Sequence, residues 1–398
     1  MTVGAGRTIV IATILHPDGP TGVQTHFNIL RRRMELYGQP VVLITPYSAP
    51  KVLVYPVFAI RKLIHLLSGS ASVWWYRHWH SLFLRIALKR TLSEIANCAV
   101  YAQCPLSADA ALRARRNPGQ RVVMVVHFNQ SQADEWSEKG SITSAGLMAR
   151  RIRALESRVL PSLDAIVYVS RYMQNRLETA LPLLKRVRSA VIPNCCSQPD
   201  TRASHLEPVD IINVGTLEPR KNQGFLLEAL AYTVSQGKNY TLALIGDGPD
   251  RSRLERTARE LAIDKHVRFL GNRPHAIQLM GSARLYAHAA TMENLPAALI
   301  EAMACGLPIV APAVGGIPEL FVAGTAGVFW RLNDVQAAGE LLIQILEDLP
   351  KLQAMASAAK ARFNESFDAS RVAGRLHEFI VHGSARQADV GTSDVTGT

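Results

Sequence analysis

Through the first 192 residues, short apolar runs alternate with stretches whose apolar residues recur at helical spacing. Thr8–Leu15 is a β-rich run, followed by the Gly-rich turn Gly19-Pro-Thr-Gly22 and a helical stretch, Val23–Leu36. Val41–Thr45 predicts a second strand and Ala99–Ala102 a short third. Arg121–Val126 predicts a buried strand that ends at His127. Asp164–Val169 predicts another, followed by Ser170 and a helix over Arg171–Thr179, and Ala190–Ile192 predicts the last. Ser197–Pro208 is polar and reads as a linker.

The alternation then restarts. Asp210–Val214 predicts a strand, Gly215–Gly224 a loop and Phe225–Gln236 a helix. Thr241–Ile245 runs into Gly246-Asp-Gly-Pro249 and a charged helix over Arg251–Leu261, and Val267–Leu270, Arg284–His288 and Pro308–Ala311 predict further strands. Parallel strands need crossover helices, so this order predicts an α/β chain with two parallel sheets. The expected division is a first domain over 1–197, a linker over 198–208 and a second domain over 209–368. A helix over 369–383 is expected to cross back to the first domain, and the small, polar tail 384–398 to be disordered.

Composition narrows the class. Of 398 residues, 48% are hydrophobic and 19% charged, which are globular values. The apolar stretches Val52–Ile60 and Leu63–Leu67 are interrupted by Pro56 and Arg61-Lys62, too short to span a bilayer. Ile9–Leu15 runs into His16-Pro-Asp-Gly-Pro without a small-residue cleavage site, so it reads as a first strand rather than a signal peptide, and a cytoplasmic chain is expected. Five cysteines, with no Cys-x-x-Cys pair, read as free thiols. Residues 1–200 carry 25 Lys and Arg against 11 Asp and Glu, a balance of +14, whereas the remainder carries 19 against 21, or −2. Trp74-Trp-Tyr-Arg-His-Trp79 lies within the basic half. Basic residues interleaved with Trp and Tyr suit the inner face of an anionic membrane, with a solvated basic face as the structural alternative. No nucleic-acid reader motif accompanies the charge, so a nucleic-acid partner is not expected.

The candidate chemistry falls after strands, where open α/β sheets bind ligands. After the first strand comes Gly22; after Arg121–Val126 comes His127. After Asp210–Val214 comes Gly215-Thr-Leu-Glu-Pro-Arg220-Lys221-Asn222, whose adjacent cations can clamp a diphosphate and stabilise it as a leaving group. Glu293-Asn-Leu-Pro-Ala-Ala-Leu-Ile-Glu301 sets one carboxylate before a helix start and one inside the helix, with Asn294 as the expected N-cap, Pro296 in the first turn and Gly306 and Pro308 as the stop. Two carboxylates placed so can hold a sugar and a ribose around the helix end. Their spacing alone carries little information; the accompanying cations do. Val314-Gly-Gly-Ile-Pro-Glu319 reads as a second Gly-rich turn into a helix, suited to phosphate. No Asp-x-Asp is present, and no metal or cofactor is implied.

These pieces together resemble the retaining, nucleotide-sugar-dependent glycosyltransferases of family 4. The resemblance rests on Val214–Asn222, Ile245-Gly-Asp-Gly-Pro249, Phe269-Leu-Gly271 and the block from Glu293 through Leu320, with Val169-Ser170 and Ile192-Pro-Asn194 fitting too. It is strong over 210–320 and thinner before. It implies the GT-B fold, two Rossmann-like domains facing each other across a cleft, with the donor on the second domain and the acceptor on the first. It implies that Arg220 and Lys221 bind the donor diphosphate, Glu301 the ribose, and Glu293 the transferred sugar, with Gly215 in the donor loop. Backbone N–H groups of Asn294 and Leu295 would lie nearby, His127 would touch the sugar near the reaction centre, and Gly22 would lie near the phosphate. Thr216 stands where the family commonly has Arg, so Arg220 is expected to substitute for it. The resemblance implies retention through same-face attack, the departing phosphate helping to deprotonate the acceptor. A hexose donor, GDP-mannose by family frequency or a UDP-sugar, and a saccharide or lipid-linked acceptor in surface-polysaccharide assembly are expected. An epimerase or phosphorylase of the same fold is the alternative.

Overall fold

The computed structural model describes residues 7–19, 22–128, 130–138, 140–199 and 207–381. The expected tail and most of the expected linker lie outside these residues. The first domain runs β1 (Thr8–Ala12), α1 (Gly22–Leu36), β2 (Val41–Ile44), α2 (Lys51–Leu67), α3 (Gly69–Glu94) and β3 (Cys98–Ala102). It continues with α4 (Pro105–Ala114), β4 (Gln120–Val126), α5 (Gln132–Glu138), α6 (Leu147–Val159), β5 (Ala165–Tyr168), α7 (Arg171–Ala180) and β6 (Ser189–Val191). The second domain runs β7 (Val209–Val214), α8 (Gln223–Ser235), β8 (Leu242–Ile245), α9 (Arg251–Glu260), β9 (Val267–Gly271), α10 (Ala276–Met280) and β10 (Ala283–Ala287). It closes with α11 (Ala297–Ala304), β11 (Ile309–Pro312), β12 (Gly327–Trp330), α12 (Val335–Glu347), α13 (Leu349–Ser366) and α14 (Ala369–Val381).

Each domain is built on a six-stranded sheet, in the orders β2-β1-β3-β4-β5-β6 and β12-β11-β10-β7-β8-β9. All strand pairs are parallel. The strands are continuous apolar runs because helices cover both sheet faces: β3 is buried throughout, as are β5 and β8. The strand order reverses between β1 and β3 in one sheet and between β7 and β10 in the other, and ligand crevices open at such reversals.

Two segments pass between the domains and meet. Cys196 bridges Asp368, with Ala369 N donating to Cys196 O at 3.0 Å. Beyond that bridge α14 lies on the first domain: Arg375 Nη2 donates to Val191 O and Arg188 Nη2 to Phe379 O, each at 3.0 Å, and His377 Nε2 lies 2.7 Å from Gln39 Oε1.

Residues 51–94 form two long helices rather than interrupted apolar stretches. Pro56 sits inside α2. The aromatic run 74–79 rides on α3 and turns mostly inward: Trp75 Nε1 donates to Val57 O at 2.9 Å, Trp79 stacks on Phe83, and only Trp74 among the tryptophans there is exposed. The five cysteines are free thiols, four of them buried.

Candidate functional site

Strand β7 feeds a loop that is tied to the loop after β10. Pro219–Lys221 make one tight turn, closed by Asn222 in the left-handed region at φ 52°. Arg220 Nη2 donates to Glu218 Oε1 at 2.8 Å and Nη1 to Met292 O at 3.1 Å, while Thr291 N donates back to Arg220 O at 3.0 Å. Two glycines let the loops close. A Cβ on Gly246 (φ 137°) would lie 1.9 Å from Gly215 O, and one on Gly315 (φ 59°) only 1.7 Å from Glu293 O. Both positions therefore exclude any side chain.

Glu293 is the centre of this site. Its Oε1 receives the Lys221 ammonium, with Arg220 Nη1 at 3.7 Å and His288 Nε2 at 3.4 Å. Burial opposes ionisation of the carboxyl, but His288 and the Lys221 charge outweigh it and hold Glu293 at about 2. The carboxylate is therefore ionised and acts only as an acceptor. Among the described residues these contacts fall on Oε1. His288 is buried and its basicity lowered by that burial, so it stays neutral.

Asn294 does not cap α11, which is preceded by Pro296 without a side-chain cap. Pro296 lacks an N–H and the chain turns helical only after it, so no capping oxygen is engaged there. The Asn294 amide instead reaches the other domain, Nδ2 donating to His127 O at 2.8 Å. Asn194 answers from that domain, its Nδ2 donating to Leu295 O at 2.7 Å. His127 at the end of β4 is thereby brought to the Glu293 loop. Burial lowers its basicity to about 4, so it is neutral, and its Nε2 has no partner among the described residues. The His26 ring meets it edge-on at 5.0 Å. Gly22 opens α1, with no atom near the position its Cβ would take.

The Gly315-Gly316 turn leads into a three-residue 3-10 turn, Ile317–Glu319, rather than the expected helix. Glu319 itself crosses to the first domain. Its carboxylate accepts Arg171 N at 2.7 Å and Tyr172 N at 2.6 Å, in the first turn of α7. Beside the cleft a cavity of about 340 Å³ is lined by Gln130, Ser131, Asp134, Arg153, Arg176 and Met292. No group of three or more metal-ligating side chains occurs among the described residues.

A family model for glycosyl transferases group 1 matches residues 198–362, and one for glycosyltransferase family 4 matches residues 20–197. The chain is a glycosyltransferase of family 4. The GDP-mannose-dependent alpha-(1-6)-phosphatidylinositol monomannoside mannosyltransferase of Mycolicibacterium smegmatis is 28% identical over 76% of the chain and 81% of its own length. The N-acetyl-alpha-D-glucosaminyl L-malate synthase of Bacillus anthracis is also 28% identical, but over 41% of the chain and only 42% of its own length. Among solved structures, the Anabaena protein HepE in complex with UDP-glucose superposes with a TM-score of 0.67 at 21% identity, covering 93% of this chain and 98% of that one. At that identity the likeness establishes the GT-B fold.

Within this glycosyltransferase, Arg220, Lys221, Glu293, Asn294 and His127 converge, and Glu301 lies within α11. Glu301 makes no ion pair among the described residues, and burial raises its carboxyl to about 7. His288, Glu319 and Asn194 were not singled out from the sequence. His288 stands at the end of β10 as His127 stands at the end of β4, so strand-end reasoning reaches it. The roles of Glu319 and Asn194 lie in contacts between the domains, which local pattern does not encode.

Proposed function

We propose that the enzyme transfers a hexose from a nucleotide-sugar to a lipid-linked or polysaccharide acceptor with retention of anomeric configuration. The observation that carries this reading is the cluster Arg220–Lys221–Glu293 beneath the switch between β7 and β10, with neutral His127 held opposite by Asn294. In this reading the two cations take the donor diphosphate and stabilise it as it leaves, needing neither metal nor cofactor to supply that charge. Glu293, ionised and anchored through Oε1, offers Oε2 to hydroxyls of the transferred sugar. His127 supplies a neutral contact on the opposite face. Glu301 takes the ribose, Gly215 and the Asn294 and Leu295 amides line the donor, and Gly22 lies by the phosphates.

The departing phosphate accepts the acceptor proton on the same face, so no protein nucleophile is required. GDP-mannose is the preferred donor, supported by the mycobacterial relative's stated donor, with UDP-sugars second. That relative's phosphatidylinositol-based acceptor supports a lipid-linked acceptor met at the inner face of the cytoplasmic membrane. No helix among the described residues is long and apolar enough to cross a membrane, which suits peripheral contact through the basic first domain.

The test is nucleotide release from a panel of GDP- and UDP-sugars, with NMR of the product. An α-linked product from an α-linked donor supports the proposal. An inverted product, an isomerised free sugar or a phosphate-dependent sugar phosphate overturns it, the last two in favour of an epimerase or phosphorylase.

A further inference from the structure

Helix α2 faces the wrong way for a helix of a self-contained protein. Its inner side is narrow: Val54 is buried, and Val57 and Phe58 pack beside it against Phe83 of α3. Its outer side carries Val52, Ile60, Leu63 and Leu67, exposed by 81%, 43%, 65% and 87%. Leu53, Tyr55 and Leu66 widen this stripe, and each is more than half exposed. At 100° per residue these seven side chains fall within an arc of about 160°, so they form one continuous apolar face. Single exposed apolar residues are ordinary on a protein surface; a contiguous row of this length marks an interaction surface.

Charge selects the partner. From residue 36 to residue 93 the chain contains seven Lys and Arg and no Asp or Glu. A second copy would set like charges against one another, and nucleic acid would leave the apolar stripe in water. A bilayer containing anionic lipid satisfies both features, since apolar side chains enter the acyl boundary while cations stay at the headgroups.

Position links the inner side of α2 to the loop after β1. Phe58 on α2 meets Tyr47 at 5.3 Å, and Tyr47 meets His16 at 4.9 Å, in the loop that leads from β1 towards Gly22. Between the start of α3 and the start of α6 a groove of about 380 Å³ opens, walled by Trp74, Ile142, Leu147 and Met148 beside exposed Arg151.

We propose that α2, rather than the tryptophan run on α3, is the element that enters an anionic membrane, seating the first domain where a lipid-borne acceptor can reach the cleft. This rests on the reading of a lipid-linked acceptor made above.

The test uses the full chain with phosphatidylcholine vesicles, with and without phosphatidylglycerol, in a sedimentation assay. Wild type is expected to pellet with the anionic vesicles at low salt. Leu63→Ser/Leu66→Ser/Leu67→Ser is expected to bind at least tenfold more weakly, with circular dichroism and donor hydrolysis unchanged. Lys51→Glu is expected to weaken binding to the anionic vesicles alone. Equal binding of the triple variant and wild type would overturn the assignment to α2 while leaving the membrane reading intact. Failure of wild type to bind either vesicle would remove both. A wild-type dimer that the triple variant converts to monomer, seen by analytical ultracentrifugation, would overturn the proposal in favour of a second copy.

Discussion

Replacing Glu301 with Gln separates two properties of one buried carboxyl. Burial raises Glu301 from 4.5 to about 7, so the native state holds a proton there that the unfolded chain has released. Stability linked to this group is therefore complete below pH 4.5, falls as pH rises from 4.5 to 7, and stays lowered above 7. Each pH unit is worth about 1.4 kcal/mol, which sets a ceiling of about 3.4 kcal/mol on the cost of the ionised form. Glu301 keeps a solvent-facing edge, and screening there brings the expected cost to about 1–2 kcal/mol. Glu301→Gln removes the ionised form, so the variant should melt higher than wild type at pH 8.5, by about 2–8 °C for the second domain. At pH 4.5 the two should melt together. The same substitution should weaken nucleotide binding, because ribose hydroxyls meet a carboxylate more strongly than an amide. Binding to wild type should also release protons near pH 7, seen by calorimetry in buffers of different ionisation enthalpy. If Glu301→Gln melts no higher than wild type at pH 8.5, the carboxyl is not held by burial and the reasoning fails.

Other expectations follow from the contacts between loops and domains. Lys221→Met strips the Glu293 carboxylate of its nearest cation and should cost about 3–5 kcal/mol in chemical denaturation, with much of the loss recovered in Lys221→Met/Glu293→Gln; a double variant no more stable than the single one would show that the pair is not coupled. Glu319→Ala removes two backbone hydrogen bonds between the domains while Ser170 still caps α7, so the loss of about 1–2 kcal/mol should appear as a larger radius of gyration in solution scattering, with little change in helix content. His127 is neutral in the fold with a basicity near 4, below its ordinary 6.5. Its share of stability is thus whole above pH 6.5 and lost as pH falls from 6.5 towards 4, and His127→Gln should flatten that limb of the stability curve.

Much of this architecture was legible in the chain because parallel strands advertise themselves. Arg121–Val126 reads as a strand ending at His127, and β4 stops one residue before that histidine. The segments that escaped were those whose physics is not local. In α2 the apolar stripe faces solvent, so periodicity points away from the real packing side, and Pro56 suggests an interruption where the helix continues. Asn294 has the identity of an N-cap, but its partner is 167 residues away across the cleft. The Gly315-Gly316 turn looks like a phosphate cradle, and the position is glycine because the Glu293 backbone lies where a Cβ would be. The lone carboxylates and cations were visible as residue types; their mutual neutralisation through Glu293 Oε1 was not.

The meeting of Cys196 with Asp368 has a mechanical consequence. The polypeptide passes between the domains twice, and the two passages are clasped to one another, as a door is hung on paired knuckles around one pin. Sliding or twisting one domain over the other would break that clasp, whereas swinging about it would not. Any such swing also has to release the Glu319 and Asn294 contacts that tie the second domain to the first.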